Sequence, residues 1–383
     1  VSYIPPLDLT QQYQQIEADV RQAVTDVLSS GRYINGPVVQ TFEEQFAAYT
    51  GTAHCIGCNS GTDALFLAMR AYGIGAGDEV ITSPFTFIST AEMISAVGAT
   101  PVFVDVDAAT FNLDLTQVKA AITDRTKAII PVHLFGQPVD MTQLMAIADA
   151  HALIVIEDCA QATGADWQGQ KVGSVGHVGC FSFYPTKNLG ACGDGGAITT
   201  NDDAIAQKLR ILRNHGQPQT YIHSDIGVNS RLDAIQAAIL TIKLRYLDQW
   251  NHQRQAIAAR YGALLADVEG AVAPGAIAGG SPVWHQYTIR LTAEGVDRSY
   301  RDRIRQQLQH QGIGSMIYYP VPLHLQPVYA HLGYPAGQFP VVERVAHQVL
   351  SLPMFPELTP MQQEQVISGL RSAIAIAASP APV

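Results

Sequence analysis

Lys187 stands in the run Cys180-Phe181-Ser182-Phe183-Tyr184-Pro185-Thr186-Lys187-Asn188-Leu189-Gly190, whose composition suits amine chemistry. A short apolar strand leads into a turn at Pro185, and beyond the lysine the chain leaves through Gly193-Asp194-Gly195-Gly196. Of the other lysines, Lys119 and Lys243 lie in helical, polar contexts, and Lys127, Lys171 and Lys208 lie among turn or surface signals. Only Lys187 is flanked by aromatics, proline and glycines. An amine kept from water loses part of its preference for the charged form, and a neutral amine attacks a carbonyl. Such a lysine can hold an aldehyde cofactor as a Schiff base. The ordinary alternative is a surface lysine in a loop.

Four further motifs bear on that amine. Glu157-Asp158-Cys159-Ala160-Gln161 follows a fully apolar strand, so its carboxylate emerges at the carboxyl end, where open α/β sheets bind ligands. There Asp158 either keeps a ring nitrogen protonated or caps the next segment. Asn59-Ser60-Gly61-Thr62-Asp63-Ala64-Leu65 opens a helix. Its free amides and dipole suit a phosphate, although ordinary capping by Ser60 or Thr62 has the same signature. Ser182 and Tyr184 share one face of their strand, and Ser182 donates either to a phosphate or to the backbone. Phe87, after the turn at Pro84, either covers a planar ring or packs in the core. A glycine-led helix start, a strand-end aspartate, a serine and a strained lysine follow the order of a pyridoxal phosphate site.

The elements that must hold these residues read as alternating strands and helices. Val80-Ile81-Thr82, Val102-Phe103-Val104, Ala128-Ile129-Ile130 and Leu153-Ile154-Val155-Ile156 are apolar enough to be strands covered on both faces. Between them, Leu65, Ala68, Met69 and Tyr72 recur at helical spacing, and Asp114 precedes another helical run. This alternation predicts an α/β fold built on a mainly parallel sheet. From Arg231 to Asp267 a helical pattern either crosses between domains or breaks into two helices. A Gly/Ala/Pro-rich connector, a strand over Trp284–Arg290 and a polar helix over Arg301–His310 then make a small α+β unit. The Ala/Pro-rich end, 377–383, shows no chemistry. The expected division is a large domain over 1–250 and a small one over 251–383.

The 383 residues carry a net charge of −10 and no basic block, which excludes a nucleic-acid binder. No apolar run approaches a membrane span, and the N-terminal residues lack a signal pattern. Five cysteines, an odd number, fit a reduced cytoplasmic compartment. Cys55 and Cys58 lack a second pair for zinc and read as strand packing, so no metal is expected.

The chain resembles the DegT/DnrJ/StrS sugar aminotransferases. The resemblance rests on Ser60–Leu65, Glu157–Gln161, Phe181–Lys187 and Asn229-Ser230-Arg231-Leu232-Asp233. It extends to Gly31–Pro37 and to Tyr319-Pro320-Val321-Pro322-Leu323-His324, and so spans nearly the whole chain. It implies the fold-type I aminotransferase architecture with pyridoxal 5′-phosphate as cofactor, and usually a homodimer sharing its active sites. Lys187 then resembles the Schiff-base lysine, and Asp158 the partner of the pyridine nitrogen. Gln161 resembles the residue near the ring hydroxyl, and Phe87 the residue stacked on the ring. Gly61, Thr62 and Ser182 fit the phosphate cup, which Asn229 completes from the partner subunit.

The implied reaction moves an amino group from L-glutamate, leaving 2-oxoglutarate, to a nucleotide-linked keto sugar through pyridoxamine phosphate. Arg231, Tyr318, Tyr319 and His324 are the implied sugar-side residues. Arg231 can equally pair with Asp225 or Asp233, the tyrosines can serve packing, and His133 points either into the cleft or into the core. The segments Phe135-Gly136-Gln137-Pro138 and Tyr319–His324 look more like members acting at C3 than at C4. A pyridoxal-dependent sugar dehydratase and a non-catalytic regulator are the alternatives.

Overall fold

Seven strands form the central sheet of the computed structural model, which describes residues 3–292 and 296–378. Of the Ala/Pro-rich end, 379–383 lies outside the described residues. The chain begins with helices α1 (Thr10–Ser30) and α2 (Pro37–Thr50), followed by β1 (His54–Cys58) and α3 (Gly61–Ala71). β2 (Glu79–Thr82), α4 (Ser89–Ala96), β3 (Thr100–Phe103), α5 (Leu115–Ala121), β4 (Thr126–Ile130), α6 (Met141–Ala150) and β5 (Ile154–Asp158) continue the alternation. The short hairpin β6 (Asp166–Trp167) and β7 (Gln170–Lys171) precedes β8 (Val178–Ser182), β9 (Gly196–Thr200) and α7 (Asp203–Leu212).

The sheet order is β1-β9-β8-β5-β4-β2-β3. The pairs β8/β5, β5/β4, β4/β2 and β2/β3 are parallel, and β9 runs against both β8 and β1. Every strand but β9 therefore delivers its carboxyl end to one edge. Ser60, Asp158 and Ser182 converge there, each at or just beyond the end of its strand. Strand interiors such as Ile129, Val155 and Ile156 are fully buried, as runs covered on both faces require. Cys55 and Cys58 are buried in β1, as strand packing predicts.

Side-chain caps start several helices: Ser60 accepts from the Asp63 amide, Asp114 from Thr116 and Asp140 from Gln143. Asp233 likewise accepts from Gln236 at the head of α8 (Ala234–Leu244). Each occupies one of the amide donors that a helix start leaves free. The long helical pattern breaks at Arg245 and Tyr246, and α9 (Leu247–Leu265) follows.

After α9 come β10 (Ala271–Val272), β11 (Gly280–Ser281), β12 (Tyr287–Leu291), α10 (Arg298–His310), α11 (Pro340–Gln348), β13 (Val349–Leu352) and α12 (Pro360–Ala378). β10, β12 and β13 make a separate antiparallel sheet, while β11 joins the β6–β7 hairpin. A second core, including Tyr261, Ile289, Ile304 and Leu370, packs α9, α10 and α12 onto that sheet. Ile4 belongs to this core too, because its backbone bonds to Gly312 and Gly314 carry the N-terminal segment across. No described helix is long and apolar enough to cross a membrane.

Candidate active site

A cavity of about 680 Å³ lies at the edge where the carboxyl ends meet. Ser60, Phe87, Asp158 and Ser182 line its sheet side, and His285, Gln286, Tyr318 and Tyr319 line the other. Lys187 opens into it.

Asp158 ends β5 and is buried. Its Oδ2 accepts from Thr90 Oγ1 at 2.8 Å, and its Oδ1 accepts from the Ala160 amide at 3.1 Å. Burial pushes its pKa up, opposed by those two hydrogen bonds and by the positive charge of Lys187. The preceding residue, Glu157, points away, as strand alternation demands. Glu157 accepts from the amides of Gly173, Val175 and Gly176 and from His133 Nε2. The Val139 amide donates to His133 Nδ1 at 3.0 Å, so the ring proton sits on Nε2 and faces Glu157. His133 is therefore a core residue.

Lys187 rides a tight loop. Its amide donates to Tyr184 O at 2.8 Å, and the Ala191 amide donates to Phe183 O at 2.8 Å. At Gly190 a Cβ would stand 2.3 Å from Pro185 O, so only glycine lets the loop close. Two neighbouring helices and the segment after β11 tie the loop down: Asn188 Nδ2 donates to Asn251 Oδ1 and Val283 O, and the Cys192 amide donates to Gln236 Oε1. Lys243 Nζ donates to Gly190 O at 2.6 Å. Its helical, polar context suggests an ordinary lysine, but it is buried, with its amine held on the loop carbonyl. Lys187 itself touches the open cavity yet is walled in by protein. That enclosure draws its pKa down to about 8, against the opposing pull of Asp158.

Gly61 opens α3 directly against β8, where an added Cβ would meet Ser182 Cβ at 2.6 Å. Gly196 is as constrained, since its Cβ would lie 2.4 Å from the Ser60 carbonyl carbon. Thr62 Oγ1 and Ser89 Oγ are 2.8 Å apart. The result is a narrow cradle of helix-start amides and hydroxyls, whose donors suit a phosphate. Phe87 is 56% exposed and lines the cavity, as a ring waiting to be covered does and a core phenylalanine does not. Gln161 is fixed by the Phe135 amide on its Oε1 at 2.7 Å and by Tyr319 Oη on its Nε2 at 3.0 Å. Carboxylate, amine, cradle and exposed aromatic together fit pyridoxal phosphate.

Two expected sugar-side residues do not reach this cavity. His324 is buried, with Nε2 at 3.1 Å from Glu343 Oε1 and its ring edge-on to Phe339. The turn around Leu323–Leu325 folds it inward, away from the tyrosines that share its loop. Arg231 donates to Asn214 Oδ1 at 3.1 Å and pairs with neither Asp225 nor Asp233. Asn229 is exposed and bridges Asn214, away from this chain's own cavity. Tyr318 and Tyr319 do line it. Thr90, Ser89, His285 and Gln286 are additional wall residues, for which the sequence carries no distinguishing signal.

A doubly covered, mainly parallel sheet with lysine, aspartate and phosphate cradle at one edge defines an α/β fold of the pyridoxal-phosphate aminotransferase kind. The chain belongs to the DegT/DnrJ/EryC1/StrS aminotransferase family, whose model matches residues 14–371. It is 50% identical, over 96% of its length and 97% of the relative's, to a "Pleiotropic regulatory protein" of Geobacillus stearothermophilus. It is 47% identical to dTDP-3-amino-3,4,6-trideoxy-alpha-D-glucose transaminase of Streptomyces venezuelae, covering 96% of this chain and 95% of that protein. Among solved structures, S. venezuelae DesV in complex with a ketimine intermediate superposes with a TM-score of 0.94 at 46% identity, with all of both chains covered. NtdA from Bacillus subtilis with bound cofactor PMP gives a TM-score of 0.90 at 32% identity, covering 98% of this chain and 86% of that one.

Proposed function

We propose that this chain uses pyridoxal phosphate to move an amino group from L-glutamate to the C3 keto group of a dTDP- or UDP-linked sugar. The observation that carries the reading is that Lys187 and Asp158 face one cavity, each with its protonation biased by burial. The Streptomyces relative, a transaminase of a 3-amino sugar, supports the C3 position and the nucleotide. The family membership and the PMP-bound relative support the cofactor.

Bound here, pyridoxal phosphate supplies a carbonyl carbon for amines and a ring that accepts the electron pair left by a departing α-proton. Asp158, held by Thr90 and Ala160, places a negative charge where a ring nitrogen must stay protonated. Gly61, Thr62 and Ser182 would hold the phosphate, Phe87 would cover one ring face and Gln161 would sit near the ring hydroxyl. Lys187, once its amine is free and neutral, takes the proton from the donor α-carbon and returns it at the other end. Tyr318 and Tyr319 face the acceptor sugar.

A homodimer in which Asn229 reaches the partner's phosphate belongs to this proposal, supported by the exposure of Asn229 on the free chain. So does the partition into 1–250 and 251–383, supported by the separate core around α9, α10 and α12. A cytoplasmic place in making surface polysaccharide or a glycosylated metabolite completes it, in keeping with five unpaired cysteines. The test is holoenzyme with L-glutamate and a panel of 3-keto and 4-keto nucleotide sugars, read as 2-oxoglutarate release. Release with 3-keto sugars supports the proposal, and release with none overturns it.

The name of the Geobacillus relative favours one second reading, a regulator that keeps the fold. It requires that no cofactor attach to Lys187 and that no keto sugar turn over.

A further inference from the structure

A chamber of about 360 Å³ adjoins the Lys187 cavity. Thr186, His285, Gln286 and Tyr318 line both spaces and form the partition between them. On the outer side stand Leu7 and Leu9 of the N-terminal segment, Met316, and Met354 beyond β13. Among the described residues that line it, none is Lys, Arg, Asp or Glu. His285 is kept neutral, because burial draws its pKa well down and the charges of Lys187 and Arg254 add to the shift. The chamber is uncharged, apolar on its outer wall and polar at the partition.

Two polar atoms of that partition lack partners. His285 Nδ1 and Gln286 Oε1 are both buried with no hydrogen bond, and among the chain's unpaired buried polar atoms these two stand on the wall shared by both cavities. His285 is only 7% exposed. Arg254 fixes the partition from behind by donating to the carbonyls of Trp284, His285 and Met354 at 3.2, 3.3 and 3.2 Å. A rigid wall with unmet polar groups is suited to meeting a ligand's hydroxyl or amide.

On the aminotransferase reading above, three groups compete for the chamber: the nucleotide diphosphate, the carboxylates of the amino donor, and the outer part of the sugar. A charge set against a wall that offers no charged side chain to pair with it is disfavoured. We propose that the chamber receives the sugar substituents beyond the reacting carbon, and that it selects uncharged ones (methyl, hydroxymethyl or acetamido) against a carboxylate. The reacting carbon and these substituents belong to one rigid ring, so placing the first at Lys187 brings the second to the partition.

The test uses holoenzyme, L-glutamate and pairs of 3-keto sugars, dTDP- and UDP-linked, differing only in hydroxymethyl or carboxylate at C6. The uncharged member is expected to have the higher kcat/KM by about tenfold or more. Leu9→Lys places a cation at the rim, at a position exposed enough to accept it. It is expected to narrow the ratio by about tenfold, through the KM of the carboxylate sugar, while Leu9→Gln shifts the ratio by less than about threefold. Equal or reversed preference in the native chain, or an unchanged ratio in Leu9→Lys, overturns the chamber proposal. Both sugars would still release 2-oxoglutarate in that case, and the aminotransferase reading would stand. No release with either member of either pair overturns both.

Discussion

Thr90 donates to the Asp158 carboxylate at 2.8 Å, joining the first turn of α4 to the end of β5 across 68 residues of sequence. Both side chains are buried, so no water replaces that bond if it is lost. A hydrogen bond to a charged group contributes about 1.5–3 kcal/mol. Thr90→Val keeps the shape and removes the donor, so the pKa of Asp158 rises further above its already raised value. The expected result is a fall in kcat/KM of roughly tenfold to a hundredfold, with the acid limb of the pH–rate profile moved up. Thr90→Ser should retain most of the native rate.

Lys187 gives a pH dependence with a definite sign. Its pKa of about 8 leaves the free amine mostly charged below that pH and mostly neutral above it. Cofactor uptake by the apo chain, followed by absorbance, should therefore quicken with pH and level off above about 8. Stability carries the same signature. The folded pKa lies below the ordinary 10.5, so between those values the unfolded chain binds more protons and apo stability rises with pH. Lys187→Met should abolish that slope, as read by denaturant unfolding across the window.

That Lys187 and Asp158 come to one cavity was legible in the sequence because their signals are local: a strand end, a turn, a glycine-rich exit. The sheet strands were legible too, since runs such as Ala128-Ile129-Ile130 must be covered on both faces. Thr90 was not, because its partner comes from a distant strand and a threonine in a first turn resembles any other. His324 shared a loop with Tyr318 and Tyr319, but the direction of its ring depends on Glu343 and Phe339, which sequence order does not place beside it. Lys243 reads as an ordinary helical lysine because its own helix cannot show that the loop at Gly190 takes up its amine.

Gly61 tests the cradle. The Cβ of Gly61→Ala would lie 2.6 Å from Ser182 Cβ, so α3 and β8 must separate, at a cost of about 1–3 kcal/mol. The expected outcome is a lower Tm and weaker cofactor binding. Adding Ser182→Gly removes the clashing atom and should recover the stability, though not the hydroxyl's share of cofactor affinity.

Glu157 tests the foundation under Asp158. Its carboxylate accepts from three amides and from His133, at zero exposure. Glu157→Gln turns one acceptor into a donor facing donors, and should destabilise by about 3 kcal/mol or more in urea unfolding. A change below about 0.5 kcal/mol would show that the network does not hold the strand end.

The most direct measurement is to reduce the holo chain with borohydride and locate the phosphopyridoxyl group by peptide mass spectrometry. The group is expected on Lys187 alone, and on no lysine in Lys187→Ala. A group found instead on Lys243, or on no lysine of the native chain, would contradict the account.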